Sequence, residues 1–206
     1  MTGDSRFSKD DEANAAHFGM KVAKHDKGHL AVDWGSRRSQ QLRFQKLKEM
    51  LSIRDGNSII DVGCGLAGFL DYLNDRQINV DYTGIDVSEE MISRCRSRYP
   101  NNDFLTGSFL NLGKIKADLV VASGIFNLRT NHPFDFLQET VLRMYESCNR
   151  RIAFNCLSSR AENKEPGEFH VDPEKVLDMC QQLEGDVVLD HSYLPHDFTI
   201  AIKKPS

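Results

Sequence analysis

The stretch "NSIIDVGCGLAGFLDYL", residues 57–73, runs from a β-branched apolar pair through the acid Asp61 into Gly63, Gly65 and Gly68, and then into an amphipathic helical pattern. Phe69, Leu70 and Leu73 recur at i, i+1 and i+4, so one face of that helix is apolar and packs on a sheet. A strand, a tight glycine turn and a helix in this order let backbone approach a ligand at the carboxyl end of the strand. Taken alone, the glycine spacing also fits a plain tight turn that needs positive φ.

Downstream of this stretch, short β-rich runs alternate with helical patterns, the arrangement of a mostly parallel sheet covered by helices. Strands are expected at 58–62, 80–85, 102–106, 117–122, 151–156, 186–192 and 197–203. Helices are expected at Leu66–Asn74, Ser88–Arg98, Pro133–Ser147 and Pro173–Leu183, with the Ser88 hydroxyl capping the second. Only "YLPH" separates the last two strands, too short for a helical crossover, so they pair as an antiparallel hairpin. Upstream, residues 1–56 show no strand pattern. "SRRSQQLRFQKLKEMLSI" carries Phe44, Leu47 and Leu51 at helical spacing with basic residues opposite, which predicts a helical preamble, 1–56, ahead of a domain at 57–206.

A chain of 206 residues with 40% hydrophobic content supplies one good core. A net charge of −4 and a pI near 6.0 provide no global field for a polyanion, which argues for a small-molecule substrate and against nucleic acid. Cys64, Cys95, Cys148, Cys156 and Cys180 are odd in number and contain no C-x-x-C pair, the usage of a reduced protein. The first residues are acidic and polar where a secretory signal is basic and then apolar, and no run approaches a membrane span. The expectation is a cytoplasmic protein with no membrane partner, a monomer or weak homodimer.

Asp86 ends the next strand in "YTGIDVS", 23 residues after Gly63, where a carboxylate accepts both hydroxyls of a ribose. Its alternative role is a helix N-cap, although Ser88 is available for that. Asp61, two residues before Gly63, is unwelcome beside a pyrophosphate but suits a ligand carrying an ammonium and a sulfonium, such as S-adenosylmethionine (SAM). A brace for the glycine turn is the equal alternative for Asp61.

These residues carry a family resemblance. "IIDVGCGLAG" resembles motif I of the class I SAM-dependent methyltransferases, "YTGIDVSEEMI" their acidic second motif, and "ADLVVASGIFNL" their fourth-strand motif. The resemblance implies an α/β fold: a doubly wound, seven-stranded, mostly parallel sheet with an antiparallel last strand, order 3-2-1-4-5-7-6, behind the helical N-terminal segment. It implies SAM as cofactor. By position, Gly63 and Gly65, with Cys64 between them, would line its methionine part, Asp86 would hold the ribose, and Val87 would pack beside the adenine. In "LTGSFLNL", Ser108 stands where the family often has an acid for the adenine amino group, leaving the Ser108 hydroxyl and the backbone N–H of Phe109 for that contact. Ser123, at the end of strand four, completes the cofactor set. "AVDWGSRRSQQLRF", "VVASGIFNLR" and "LPHDFTIAIKK" together resemble a group of small bacterial methyltransferases.

Methyl transfer needs in-line positioning and exclusion of water, plus a base where the nucleophile must lose a proton. The pocket at the carboxyl ends of strands four and five would hold Asn127 and Arg129, with Tyr193 approaching from the last turn. His170 and His196 are the candidate bases or positioning groups; an isolated loop histidine is otherwise solvated surface. Tyr193 also reads as packing, and Arg129, an expected carboxylate binder, as a solvated arginine. Trp34, the one tryptophan, either closes over the cofactor as a lid or pins the first helix. "SGIFN" offers no acid for a metal, and "FNLR" is not the Asn-Pro-Pro-aromatic motif of nucleobase-amino enzymes. The expected function is metal-independent methyl transfer to O or N of a small molecule. Competing readings are a nicotinamide-dependent oxidoreductase, disfavoured by Asp61 and the reversed last strand, and a non-catalytic cofactor-binding protein.

Overall fold

The structure, a computed structural model, describes residues 37–205. Trp34 lies outside the described residues, as does most of the expected preamble.

The described chain opens with helix α1 (Arg37–Leu51) and then alternates: β1 (Ser58–Val62), α2 (Gly68–Asn74), β2 (Asp81–Asp86), α3 (Glu89–Arg98), β3 (Asp103–Thr106) and β4 (Ala117–Ala122). It continues through α4 (Pro133–Ser147), β5 (Cys148–Ser158), β6 (His170–Val171), α5 (Pro173–Cys180), β7 (Asp186–Leu194) and β8 (Asp197–Lys203). The sheet order is β3-β2-β1-β4-β5-β8-β7, with β6 paired to the far end of β5. The seven expected strands therefore take the expected order, and β6 is an eighth. It is only two residues long, too short for any periodicity to announce it, and it joins in parallel through Leu157–His170 and Ser158–Val171. β8 runs antiparallel to both β5 and β7.

The sheet is apolar on both faces, as a covered parallel sheet must be. One face packs under α1, α2 and α3, through Phe44, Leu47, Leu70, Leu73, Ile92 and Tyr82. The other packs under α4 and α5, through Leu137, Val141, Met144, Val176 and Cys180. The aromatic trio Phe44, Phe69 and Tyr72 ties α1 to α2, with ring centroids 5.3 to 6.2 Å apart.

Element ends differ from the sequence reading where local chemistry intervenes. α2 starts at Gly68 and not at Leu66, because Gly65 and Ala67 both take left-handed backbone in the turn before it. Ser88 caps α3 as expected, its hydroxyl accepting from the Met91 N–H. β5 extends from Cys148 to Ser158, beyond the expected 151–156, because it has partners on both sides and β6 as well at its end.

Candidate active site

Strand order reverses between β1 and β4, whose connections leave in opposite directions and open a crevice at the carboxyl ends. The cavity there measures about 1230 Å3, larger than the roughly 300–1,000 Å3 usual for one small ligand. Its floor is the glycine turn. Gly63 and Cys64 both donate backbone N–H to the Ile85 carbonyl, at 2.8 and 3.0 Å, which pins the turn to β2. Gly63 has φ +69°, and a Cβ there would stand 2.1 Å from Cγ2 of Ile125. Gly68, the third glycine of the motif, is different: a Cβ would meet Gln40 and Phe44 only at ordinary contact distance, 3.6 Å.

Asp86, at the end of β2, braces this turn. One carboxylate oxygen accepts the Gly65 N–H and the other the Ser88 N–H, both at 2.9 Å. Burial raises its pKa, while the backbone donors of Ser88, Gly65 and Val87 oppose that rise. Beyond these backbone donors the carboxylate keeps lone-pair capacity for a further donor, which a ribose hydroxyl supplies. Asp61 is held from the neighbouring strand. It sits two residues along from Ile59, whose strand partner is Tyr82, so the Tyr82 hydroxyl reaches Asp61 Oδ2 at 2.5 Å. Burial pushes Asp61 up to about 7; the Tyr82 bond pulls the other way and the Asp86 charge adds to the rise. Two carboxylates, Asp61 buried and Asp86 half-buried, thus share the cavity floor. Such a floor favours a cationic ligand and repels a pyrophosphate, so the residues fit SAM.

Other sides of the cavity are set by neighbouring elements. Cys64 lines it, and its thiol and that of Cys95 on α3 both approach the Gly65 carbonyl. The Cys95 thiol beside it, together with burial, raises the Cys64 pKa well above its usual value. Val87, Ser108 and Phe109 line the side toward β3. Ser123 is held by Asn155, whose amide donates to the Ser123 hydroxyl at 3.1 Å and accepts the Gly124 N–H at 3.0 Å. Asn155 is fully buried on β5 and fixes the loop after β4. Asn127 lines the cavity with its side-chain oxygen buried and without a hydrogen-bond partner.

The remaining expected residues stand back from the cavity. Arg129 is exposed and uses its backbone N–H to reach the Gly167 carbonyl. Tyr193 donates to Asp197 and meets the Thr199 hydroxyl, inside a buried group completed by Arg43 of α1, whose Nε is 2.6 Å from Asp197. Burial raises both Tyr193 and Asp197, the latter to about 6 despite Arg43. His196 is half-buried, and burial together with Arg43 lowers its pKa. His170 lies on β6 and not in a loop. Its Nδ1 is 3.0 Å from the Ser158 carbonyl and its Nε2 is 2.8 Å from Glu168. Among this group Glu168 is the residue that lines the cavity. Glu168, Glu165, Thr140, Gln40 and Arg37 all reach the wall without having been singled out in the sequence. Arg37 and Gln40 lie on the helix expected ahead of β1 and Thr140 on the helix expected at 133–147, whereas Glu165 and Glu168 arrive through the pairing of two loops.

Residues 59–146 match the model of a methyltransferase domain. A Mycobacterium tuberculosis protein named "Putative methyltransferase Rv1506c" is 35% identical over 167 residues, 76% of this chain and 99% of that protein. Among solved structures, the magnesium protoporphyrin IX methyltransferase of Synechocystis PCC 6803 with bound SAM superposes with TM-score 0.68 at 13% identity, covering 95% of this chain and 97% of that one. The N-methyltransferase NodS of Bradyrhizobium japonicum WM9, in complex with S-adenosyl-L-homocysteine (SAH), gives the same score at 16% identity, covering 93% and 98%. With its motif I turn, the acid ending β2 and the reversed last strand, the chain belongs to the class I SAM-dependent methyltransferases.

Proposed function

We propose that this chain transfers the methyl group of SAM to a nitrogen or oxygen of a small-molecule acceptor, without a metal. The observation that carries this reading is the acidic, backbone-braced floor formed by Asp61, Asp86 and the Gly63–Gly65 turn, continuous with space beyond it. Asp86 holds the ribose hydroxyls, Asp61 faces the ammonium end, and Val87, Ser108 and Phe109 flank the adenine. Gln40 and Arg37 at the start of α1 stand toward the amino-acid end, because Gln40 lies against Gly68. Ser123, positioned by Asn155, closes the floor toward the acceptor.

When bound, SAM supplies an electrophilic methyl group, so the chain's own tasks are to orient the acceptor and keep water out. Ile125, Leu128 and Phe136 give the outer space apolar walls. Among the described residues no three His, Cys, Asp or Glu side chains converge as a metal site.

The test is calorimetric titration with SAM and SAH, followed by a screen of candidate acceptors for release of SAH. Binding of both ligands, lost in Asp86→Ala, is the expected result. Absence of binding, or preferential binding of NADH, overturns the reading.

A further inference from the structure

Beyond the cofactor floor, the cavity wall comes from three places: Asn127 and Leu128 after β4, Phe136 and Thr140 on α4, and Glu165 and Glu168 ahead of β6. The charges brought by these residues are two carboxylates. The cations that line the cavity lie elsewhere. Arg94 and Arg98 on α3 pair with Glu90 and Asp71, and Arg37 opens α1 three residues before Gln40.

Glu168 is held in place from several directions. Its Oε2 accepts the Glu165 N–H at 3.0 Å and faces His170 Nε2 at 2.8 Å, while His170 Nδ1 is anchored on the Ser158 carbonyl. The backbone on either side is clamped to the loop after β4: Leu128 bridges Glu168, Phe169 donates to Asn127, and Arg129 donates to Gly167. Both side-chain bonds use Oε2, which leaves Oε1 to accept from a ligand. Two further polar groups in the wall lack partners. Asn127 Oδ1 is one; the other is the hydroxyl of Thr140, which is 1% exposed and sits one helical turn past Phe136. A buried polar group without a partner is costly, and a ligand with hydrogen-bond donors removes that cost.

Resting on the methyltransferase reading, we propose that the acceptor is an amine, bound as its ammonium form by Glu168, with His170 as the residue that positions Glu168. An acceptor carrying a carboxylate at this point would meet Glu165 and Glu168 with like charge. Before its lone pair can attack, the nitrogen must lose a proton. That proton passes from the ammonium nitrogen to Glu168 Oε1 and then to water, which the partly exposed carboxylate reaches. The neutral amine is left in the pocket with its lone pair free.

The experiment uses the full chain saturated with SAH and two matched probes, benzylammonium and benzoate, followed by ligand-observed NMR titration. Benzylammonium should bind in preference to benzoate. Glu168→Gln should weaken benzylammonium by roughly 10- to 100-fold, the worth of a charge-assisted hydrogen bond, while SAH affinity is retained. His170→Asn should weaken it in the same direction, also with SAH affinity intact. Benzoate binding as well as or better than benzylammonium, binding of neither probe, or an unchanged Glu168→Gln overturns the proposal. Should Glu168→Gln fail to fold, the comparison of probes on the wild type and the His170→Asn result decide. If the wild type fails to bind SAH, the methyltransferase reading itself falls.

Discussion

Asp61 illustrates how one buried carboxylate ties stability to cofactor binding. Its pKa rises from 3.8 to about 7 because burial penalises the charge. Between those values the folded protein holds a proton that the unfolded chain has released, so this contribution to stability is present at low pH and is lost as pH rises toward 7. Asp61→Asn keeps the shape and an acceptor for Tyr82, and removes the charge. Its melting temperature relative to wild type should therefore climb between pH 5 and 7.5, a difference on the order of a few kcal/mol. A cation seated beside Asp61 pulls the pKa back down. SAM titrated at pH 6 should then release a proton from wild type and not from Asp61→Asn, measured as a dependence of binding heat on buffer ionisation heat. The glycines separate in the same way. Gly63→Ala, with φ +69° and a 2.1 Å approach to Ile125, should cost about 1–3 kcal/mol and most of the cofactor affinity. Gly68→Ala, placed in a helix with room for its methyl, should be neutral or stabilise by up to about 1 kcal/mol. The sequence pattern marks both glycines alike; the left-handed backbone of Gly63 and the approach of Ile125, from a loop 62 positions on, distinguish them.

At the scale of elements, α1 belongs to the same core as the sheet. Phe44, Leu47 and Leu51 were legible as a helical apolar face, and all three are buried. What they pack on was not legible, because α2, β5 and β8 lie far away in sequence. Arg43 on the same helix enters a buried ion pair with Asp197, and Tyr193 and Thr199 complete the hydrogen bonding. Removing one partner of such a pair leaves a buried charge exposed to its full desolvation penalty. Arg43→Ala should destabilise the protein by about 3–5 kcal/mol in denaturant titration, and Tyr193→Phe by about 1 kcal/mol. A chain starting at residue 57 loses three buried apolar side chains worth roughly 1.5–3 kcal/mol each and should be recovered as insoluble material. Soluble, SAM-binding protein from that truncation would show that the expected boundary at 56 separates independent units. The short β6 and the clamp between residues 127–129 and 167–169 are the other long-range products. They place Glu168 in the cavity wall and His170 behind it.

The molecule as a whole couples the site to global stability, since the cavity is lined by the ends of β1, β2 and β4 together with α1 and α4. SAH at about one hundred times its dissociation constant should add ~2.7 kcal/mol, a rise of about 5–11 °C in melting temperature for a chain of this size. A thermal scan with and without SAH measures it; an unchanged midpoint would sink the assigned site. The sequence by itself determined the alternation of strands and helices, the antiparallel final hairpin, the glycine turn and the acid 23 residues on. Each of these rests on local spacing, backbone freedom or loop length, all of which act within a few residues or one βαβ unit. The tertiary structure decided that Tyr82 shares Asp61, that Asp86 braces the turn, that Tyr193 joins Arg43 and not the cavity, and that Glu168 stands in front of His170. The first three join segments from 20 to more than 150 residues apart; Glu168 and His170 are two residues apart, but the pairing of their segment with residues 127–129 sets them in the wall, and the energies of all four depend on burial among partners that local spacing does not specify.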